Sequence, residues 1–195
     1  MEVNSIWKFT IKTKNINNMG QINKIFANKI YEEAKKMNIS PLYITAMVCL
    51  ESGWGKRSLL SYNLFGERAN SDWKGKKKLL RVTEIHHSKP ILRDGESIVF
   101  HSQLIGTTSK YIILRWFKDY QSILECIEDH VKIFDAFPNA MKYKKDPHTF
   151  PKMLCCEPFT DVNGELRYKK YDSSPNYPDF VEVMYKTLLK LGIKE

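Results

Sequence analysis

The residue best placed to do chemistry is Glu51, in the stretch Cys49-Leu50-Glu51-Ser52-Gly53-Trp54-Gly55. It closes the segment PLYITAMVCLE, residues 41–51, which is apolar on nearly every face and so belongs in the middle of a domain rather than on its surface. A carboxyl group on the last turn of a buried helix loses hydration of its charged form, and its pKa rises. Held protonated near neutral pH, it can give a proton to a leaving oxygen. Gly53 and Gly55 end the helix and bring Trp54 round beside the glutamate. A glutamate before glycine at a helix end is also the mark of an ordinary solvated terminus, so companion residues must decide between the readings.

The other reactive side chains point to no second chemistry. Cys49, Cys126, Cys155 and Cys156 form no C-x-x-C pair and have no histidine at zinc spacing, and His86-His87 match no ligand pattern. Cys49 and Cys126 fall inside apolar helical patterns, where free cysteine behaves as a small hydrophobe. No metal and no cofactor are expected.

The elements that must carry these residues follow from periodicity. A polar N-terminal arm, 1–19, gives way to a helical pattern over 21–37 through Ile22, Ile25, Phe26, Ile30 and Tyr31. Ser40-Pro41 is a helix start, and the second helix should run over 41–51. From 72 to 115 the pattern alternates: LLRVTEI at 79–85 and PILRDGESIVF at 90–100 read as strands, with Asp94-Gly95 as a hairpin turn. Helical spacing returns from Ser122 to Phe134, and after a loop rich in Lys and Pro a last helix is predicted over 176–191. Periodicity alone gives a mainly α, mixed α+β fold, a helical body with a small antiparallel β lobe. The domain proper is taken as 20–195, with the β lobe at 72–115.

Composition bounds the partners. With 195 residues, 43% of them hydrophobic, the chain can build a core, which excludes disorder as the default. Its 31 Lys+Arg against 22 Asp+Glu give a net charge of +9, which favours a polyanionic partner such as nucleic acid, an anionic membrane or a bacterial wall. There is no recognisable DNA- or RNA-binding motif, so nucleic acid is not expected. No apolar stretch approaches the roughly 20 residues of a membrane span, and the first residues carry no apolar signal-peptide core.

Several motifs, taken in order, resemble the bacterial peptidoglycan endo-β-N-acetylglucosaminidase family, which includes flagellar, autolysin and phage-lysin enzymes. Glu51-Ser52-Gly53-Trp54-Gly55 is similar to its ESGWG signature, and Tyr62-Asn63-Leu64-Phe65-Gly66 to its YNLFG. Trp73-Lys74-Gly75 resembles the WKG that opens the β lobe, and Thr83-Glu84-Ile85 resembles T-x-E-aromatic, with the family's eleven-residue step from Trp73 to Glu84. Phe117-Lys118-Asp119-Tyr120 resembles F-R-x-Y; Ser122 with Asp129-His130 resembles S…DH; Tyr171 to Tyr177 resembles Y-A-T-D-P-N-Y. The chain departs from the pattern at Ile85, at Glu67-Arg68 and in a longer 86–116 segment.

The resemblance implies a lysozyme-like α+β fold in which the helical body and the β lobe flank a substrate cleft, and a glycoside hydrolase that cuts the β-1,4 bond between N-acetylglucosamine and N-acetylmuramic acid. Glu51 would be the general acid and Glu84, on a lysine-rich lobe, the ionised partner. Inverting, retaining and substrate-assisted routes all stay open. Asn63, Phe65, Trp73, Tyr171 and Tyr177 are the implied substrate contacts, rings for stacking on sugar faces and an amide for hydrogen bonding. Peptidoglycan is the implied partner and the cell wall the implied place of action. The rival readings are a lysozyme-like muramidase or lytic transglycosylase, and a wall-binding module without activity.

Overall fold

The structure, a computed structural model, describes residues 16–104, 106–172 and 174–194, and for 16–19 the backbone alone. Its elements begin with α1 (Ile16–Ala34) and α2 (Pro41–Ser52), followed by β1 (Lys77–His86), β2 (Ser97–Gln103) and β3 (Ser109–Lys118). Then come α3 (Ile123–Val131), a 3-10 helix (Lys132–Ala136), α4 (Pro138–Met141) and α5 (Phe150–Leu154). A hairpin of β4 (Glu157–Thr160) and β5 (Leu166–Lys169) precedes α6 (Tyr177–Lys190). Two compact units result, Ser58–Ser122 and the chain on either side of it.

In the helical unit, α2 is defined at both ends by its sequence. Ser40 accepts the Tyr43 N–H at 3.2 Å, Pro41 sits where its missing N–H costs nothing, and Gly53 stops the helix at φ 57°, its N–H returning to Cys49 and Leu50 carbonyls. Every residue from Leu42 to Cys49 is buried, and each large aliphatic among them contributes roughly 1.5–3 kcal/mol by leaving water. The helix packs against α1 and α6. From α1 the inward stripe is Ala27, Ile30 and Ala34, whereas the expected Ile22 and Ile25 are 59% and 64% exposed. Small alanines on the contact face let two helices approach closely. The helix begins at Ile16, within the stretch read as the arm, and residues 1–15 lie outside the described residues.

The segment after α3, read from sequence as a loop, contains α4, α5 and the β4–β5 hairpin, elements of four or five residues each. Such pieces are too short for a periodic signal. They are held by tertiary contacts instead: the buried Glu157 carboxylate accepts the N–H groups of Asn139 and Ala140, both at 2.9 Å, and so caps α4.

The second unit is a three-stranded antiparallel sheet in the order β1-β3-β2. The expected hairpin at Asp94-Gly95 does not form. Residues 87–96 are a loop, closed by Glu96, whose side chain accepts the Arg93 N–H at 3.0 Å while its own N–H bonds the Arg93 carbonyl at 2.9 Å. Pro90 has no N–H for a ladder, and strand pairing begins only at Ser97. The true hairpin joins β2 to β3 through Gly106 at φ 67°. Strand β3, YIILRWF at its centre, is the middle strand and alternates strictly, with Ser109, Tyr111, Ile113, Arg115 and Phe117 buried.

Candidate active site

Glu51 stands on the last turn of α2, and the turn after it is built residue by residue. Ser52, 1% exposed, donates from Oγ to the Val48 carbonyl at 2.6 Å and accepts the Gly55 N–H at 2.8 Å. Arg57 reaches back to donate to the Leu50 carbonyl at 2.7 Å. Gly53, Trp54 and Gly55 lie in succession in the left-handed region, at φ 57°, 61° and 77°. Trp54 is the exception among them, since a bulky L-residue there costs on the order of 1–3 kcal/mol. The Ser52 and Arg57 bonds offset that strain and fix the turn that follows Glu51. Gly55 also lies so close to α1 that a Cβ would come within 2.6 Å of the Phe26 ring.

The Glu51 carboxyl is half-buried, and its pKa is raised. Burial is the main cause; the Asp172 carboxylate adds to it, while His130 and Arg57 act in the opposite direction. Around it, within the helical unit, lies a connected polar and aromatic group. His130 Nε2 and Tyr171 Oη are 2.8 Å apart, the Tyr171 hydroxyl meets Met47 Sδ at 3.5 Å, and the Tyr171 ring packs edge-on to those of Phe134 and Tyr177. Tyr43 and Tyr177 share a hydroxyl contact at 3.3 Å, and burial raises both phenols well above their ordinary range. Tyr171 is thus bonded to His130, whose charge acts on Glu51. Tyr177 is 2% exposed, so its ring packs the core instead of offering a face to a sugar.

In the sheet unit, Glu84 lies on β1 opposite Tyr111 of β3. Its carboxylate is gripped by Arg115, Nε to Oε1 at 2.5 Å and Nη2 to Oε2 at 2.8 Å, and His86 Nε2 lies 2.6 Å from Oε2. Burial alone would raise its pKa, but the hydrogen bonds and charges of Arg115 and His86 outweigh that, and it is lowered. Glu51 and Glu84 are therefore displaced from the ordinary glutamate value in opposite directions.

Asn63 is fully buried, and its side chain is committed to the backbone: Nδ2 donates to the Glu67 and Lys118 carbonyls, both at 2.9 Å, and Oδ1 accepts the Glu67 N–H at 2.7 Å. It holds the loop that carries Phe65, which is half-buried. Trp73 is folded over Gly75, donates its indole N–H to the Lys76 carbonyl at 2.9 Å, and meets the Tyr120 ring edge-on at 5.5 Å and the Lys118 ammonium at 5.0 Å. A cavity of about 320 Å³ lined by Lys77, Arg93, Asp94 and Trp116 is on the sheet face opposite Glu84, because Lys77 and Trp116 alternate out of phase with it. Among the described residues no group of three or more His, Cys, Asp or Glu side chains could hold a metal ion, and no helix is long and apolar enough to cross a membrane.

Arg57, Asp172, Arg115 and His86 were not read from the sequence as partners of the two glutamates, and His130 was read only as part of the S…DH motif. For Arg115 a signal exists, since it occupies an inward position in an otherwise apolar alternating strand, where an unpaired charge is costly. His130 shares the buried face of α3 with Cys126 and Ile127, a pattern that fits a core histidine equally well.

Residues 27–190 match the glucosaminidase family, described as mannosyl-glycoprotein endo-beta-N-acetylglucosaminidase. The peptidoglycan hydrolase FlgJ of Salmonella typhimurium is 33% identical over 101 residues, covering 49% of this chain and 26% of FlgJ. The FlgJ of Vibrio parahaemolyticus is 30% identical over 156 residues, covering 76% of this chain and 40% of that protein. The chain thus spans well under half the length of these curated relatives. Among solved structures, the catalytic domain of the autolysin Auto from Listeria monocytogenes superposes with a TM-score of 0.54 at 20% identity, over 91% of this chain and 90% of that one. An N-acetylmuramoyl-L-alanine amidase from Staphylococcus aureus gives 0.50 at 17% identity, over 98% of this chain and 48% of that one. These likenesses establish the mixed α+β, lysozyme-like fold. With the family match covering most of its length, the chain belongs to the glucosaminidase family of glycoside hydrolases.

Proposed function

We propose that the chain hydrolyses peptidoglycan at the β-1,4 bond between N-acetylglucosamine and N-acetylmuramic acid, with Glu51 as general acid and Glu84 as the assisting carboxylate. The observation that carries this reading is the opposite setting of the two glutamates. Burial favours a proton on Glu51, which a leaving glycosidic oxygen can take; Arg115 and His86 favour the charge on Glu84, the form that can offset positive character on a sugar in the transition state. The ordered motifs and the names of the relatives, peptidoglycan hydrolase and autolysin, supply the substrate class.

Tyr171, Trp73 and Phe65 are the rings that would stack on sugar faces. Asn63 and Tyr177 act behind them as scaffold. The excess of 31 Lys+Arg over 22 Asp+Glu suits a wall that carries carboxylates and phosphates, which supports action at the bacterial wall.

The test is release of soluble fragments from purified peptidoglycan, followed by borohydride reduction and mass spectrometry, for wild type beside Glu51→Gln and Glu84→Gln. Wild type should release fragments ending in reduced N-acetylglucosamine, and Glu51→Gln should release none. Ends in muramic or anhydro-muramic acid would instead make the chain a muramidase or lytic transglycosylase. A folded wild type that releases nothing from several wall types would leave only wall binding.

A further inference from the structure

A fully buried arginine in an apolar strand demands an explanation, because an uncompensated charge there would prevent folding. The Arg115 side chain is 1% exposed, on the buried face of β3 between Ile113 and Phe117, and its guanidinium is matched by acceptors on two sides. One edge forms the two-pronged pair with Glu84; the other, Nη1, donates to Glu96 Oε2 at 2.9 Å and to the Ile91 carbonyl at 3.1 Å. Glu96 is fixed in turn. Its side chain has no exposure and accepts the backbone N–H groups of Arg93 at 3.0 Å and Trp116 at 3.2 Å, with Arg68 Nη2 at 3.0 Å on its far side. The charges alternate along one chain, Glu84, Arg115, Glu96, Arg68, with partly exposed side chains at both ends and buried ones between them.

This arrangement does more than satisfy a buried cation. A carboxylate held by a planar fork through both oxygens cannot rotate about its last bond, an orientation that the point charge of a lysine would not impose. The anchor for that fork, Glu96 with Ile91, comes from the 87–96 loop, which lies in the segment longer than the family pattern. We propose that Arg115 is a positioning residue of the enzyme, which holds Glu84 as an oriented carboxylate, and that the 87–96 loop is its support. The proposal rests on the reading of Glu84 as the assisting carboxylate. The other groups facing Glu84 are His86 on its own strand and, directly across on β3, Tyr111, whose ring stacks on His101 of β2 at 4.7 Å.

The test uses Arg115→Lys, which keeps the charge and loses the fork, and Arg115→Met with Glu96→Met, which removes the cation together with its fully buried partner and leaves the partly exposed Glu84. Circular dichroism establishes folding. Each folded variant should lose kcat by about tenfold to a hundredfold, the scale of a misplaced catalytic group, with KM little changed. The acid limb of kcat/KM should move to higher pH in the double variant. In a Glu84→Gln background neither set should cost anything further, and His86→Gln separates the titration of that ring from that of Glu84. Wild-type kcat and an unmoved acid limb in a folded variant would overturn the proposal, as would an undiminished loss in the Glu84→Gln background. If Glu84→Gln itself keeps wild-type kcat, the role of Glu84 fails. Carboxyl carbon-13 titration of Glu84 in the double variant then still reports on Arg115: an unmoved curve refutes its hold, and a curve moved to higher pH supports it.

Discussion

Gly55→Ala should be among the most damaging single-methyl additions in this protein, and its cost divides into two parts. The first is conformational: Gly55 has φ 77°, and an L-residue in the left-handed region costs about 1–2 kcal/mol. The second is steric: the new Cβ would lie 2.6 Å from Cε2 of Phe26, with two more ring atoms at 3.1 and 3.2 Å, and relieving such an overlap costs about 1–3 kcal/mol. Together these give about 2–5 kcal/mol, or a fall in Tm of about 4–20 °C at the 2–4 °C per kcal/mol typical of this chain length. Gly164 supplies the internal control. Its φ is 81°, but nothing lies within 4 Å of its Cβ position, so Gly164→Ala should show only the first part, about 1–2 kcal/mol. Differential scanning calorimetry of both variants isolates the contact with α1 as their difference. Because the Gly55 N–H is bonded to Ser52, next to Glu51, wall hydrolysis by Gly55→Ala should also fall at temperatures where the protein is still folded. A Gly55→Ala variant no less stable than Gly164→Ala would refute the close packing of the Gly53–Gly55 turn on Phe26.

The two glutamates should affect stability with opposite signs. For Glu51 the folded-state pKa is raised, so the unfolded chain releases a proton that the folded one retains, and stability falls as pH climbs from the ordinary glutamate range through the raised value. Glu51→Gln should therefore raise Tm at neutral pH and remove that fall. For Glu84 the folded-state pKa is lowered, so its contribution is present above the unfolded pKa and is lost as pH drops through the folded one. Glu84→Gln should lower Tm at neutral pH, with the difference vanishing in acid; thermal melts across the pH range check both. Asn63→Ala leaves two carbonyls and one N–H without their partner and should cost about 2–4 kcal/mol in urea denaturation, at roughly 1 kcal/mol or more per bond. With a net charge of +9, initial rates on an anionic wall should fall between 0.05 and 0.3 M NaCl much more than rates on a short neutral glycan, since screening acts chiefly on long-range encounter.

What could be read from the sequence was local and periodic. The ends of α2 follow from Ser40-Pro41 and Gly53, and its uniform apolarity identified it as the buried centre. The environment of Glu51 was legible for the same reason, because burial is a property of the helix that carries it. The environment of Glu84 was not. Its ionised state depends on Arg115, 31 positions later, and on Glu96 in a loop whose course was misread because Asp94-Gly95 looks like a hairpin turn in isolation. Asn63 shows the same limit from the other side. An asparagine in the YNLFG stretch is as consistent with sugar contact as with a loop clasp, and only the three bonds it makes decide for the clasp. Tyr171 and Tyr177 close one motif six residues apart, yet the start of α6 turns one into the core and leaves the other half-exposed.

The most direct measurement of the central claim is a carboxyl carbon-13 NMR titration of the folded protein, with the Glu51 and Glu84 signals assigned by their glutamine variants. The account predicts that Glu51 titrates above the ordinary glutamate value and Glu84 below it, so that over an interval of pH one is an acid and the other a carboxylate. Two glutamates titrating together at the ordinary value, or in the reverse order, would contradict it.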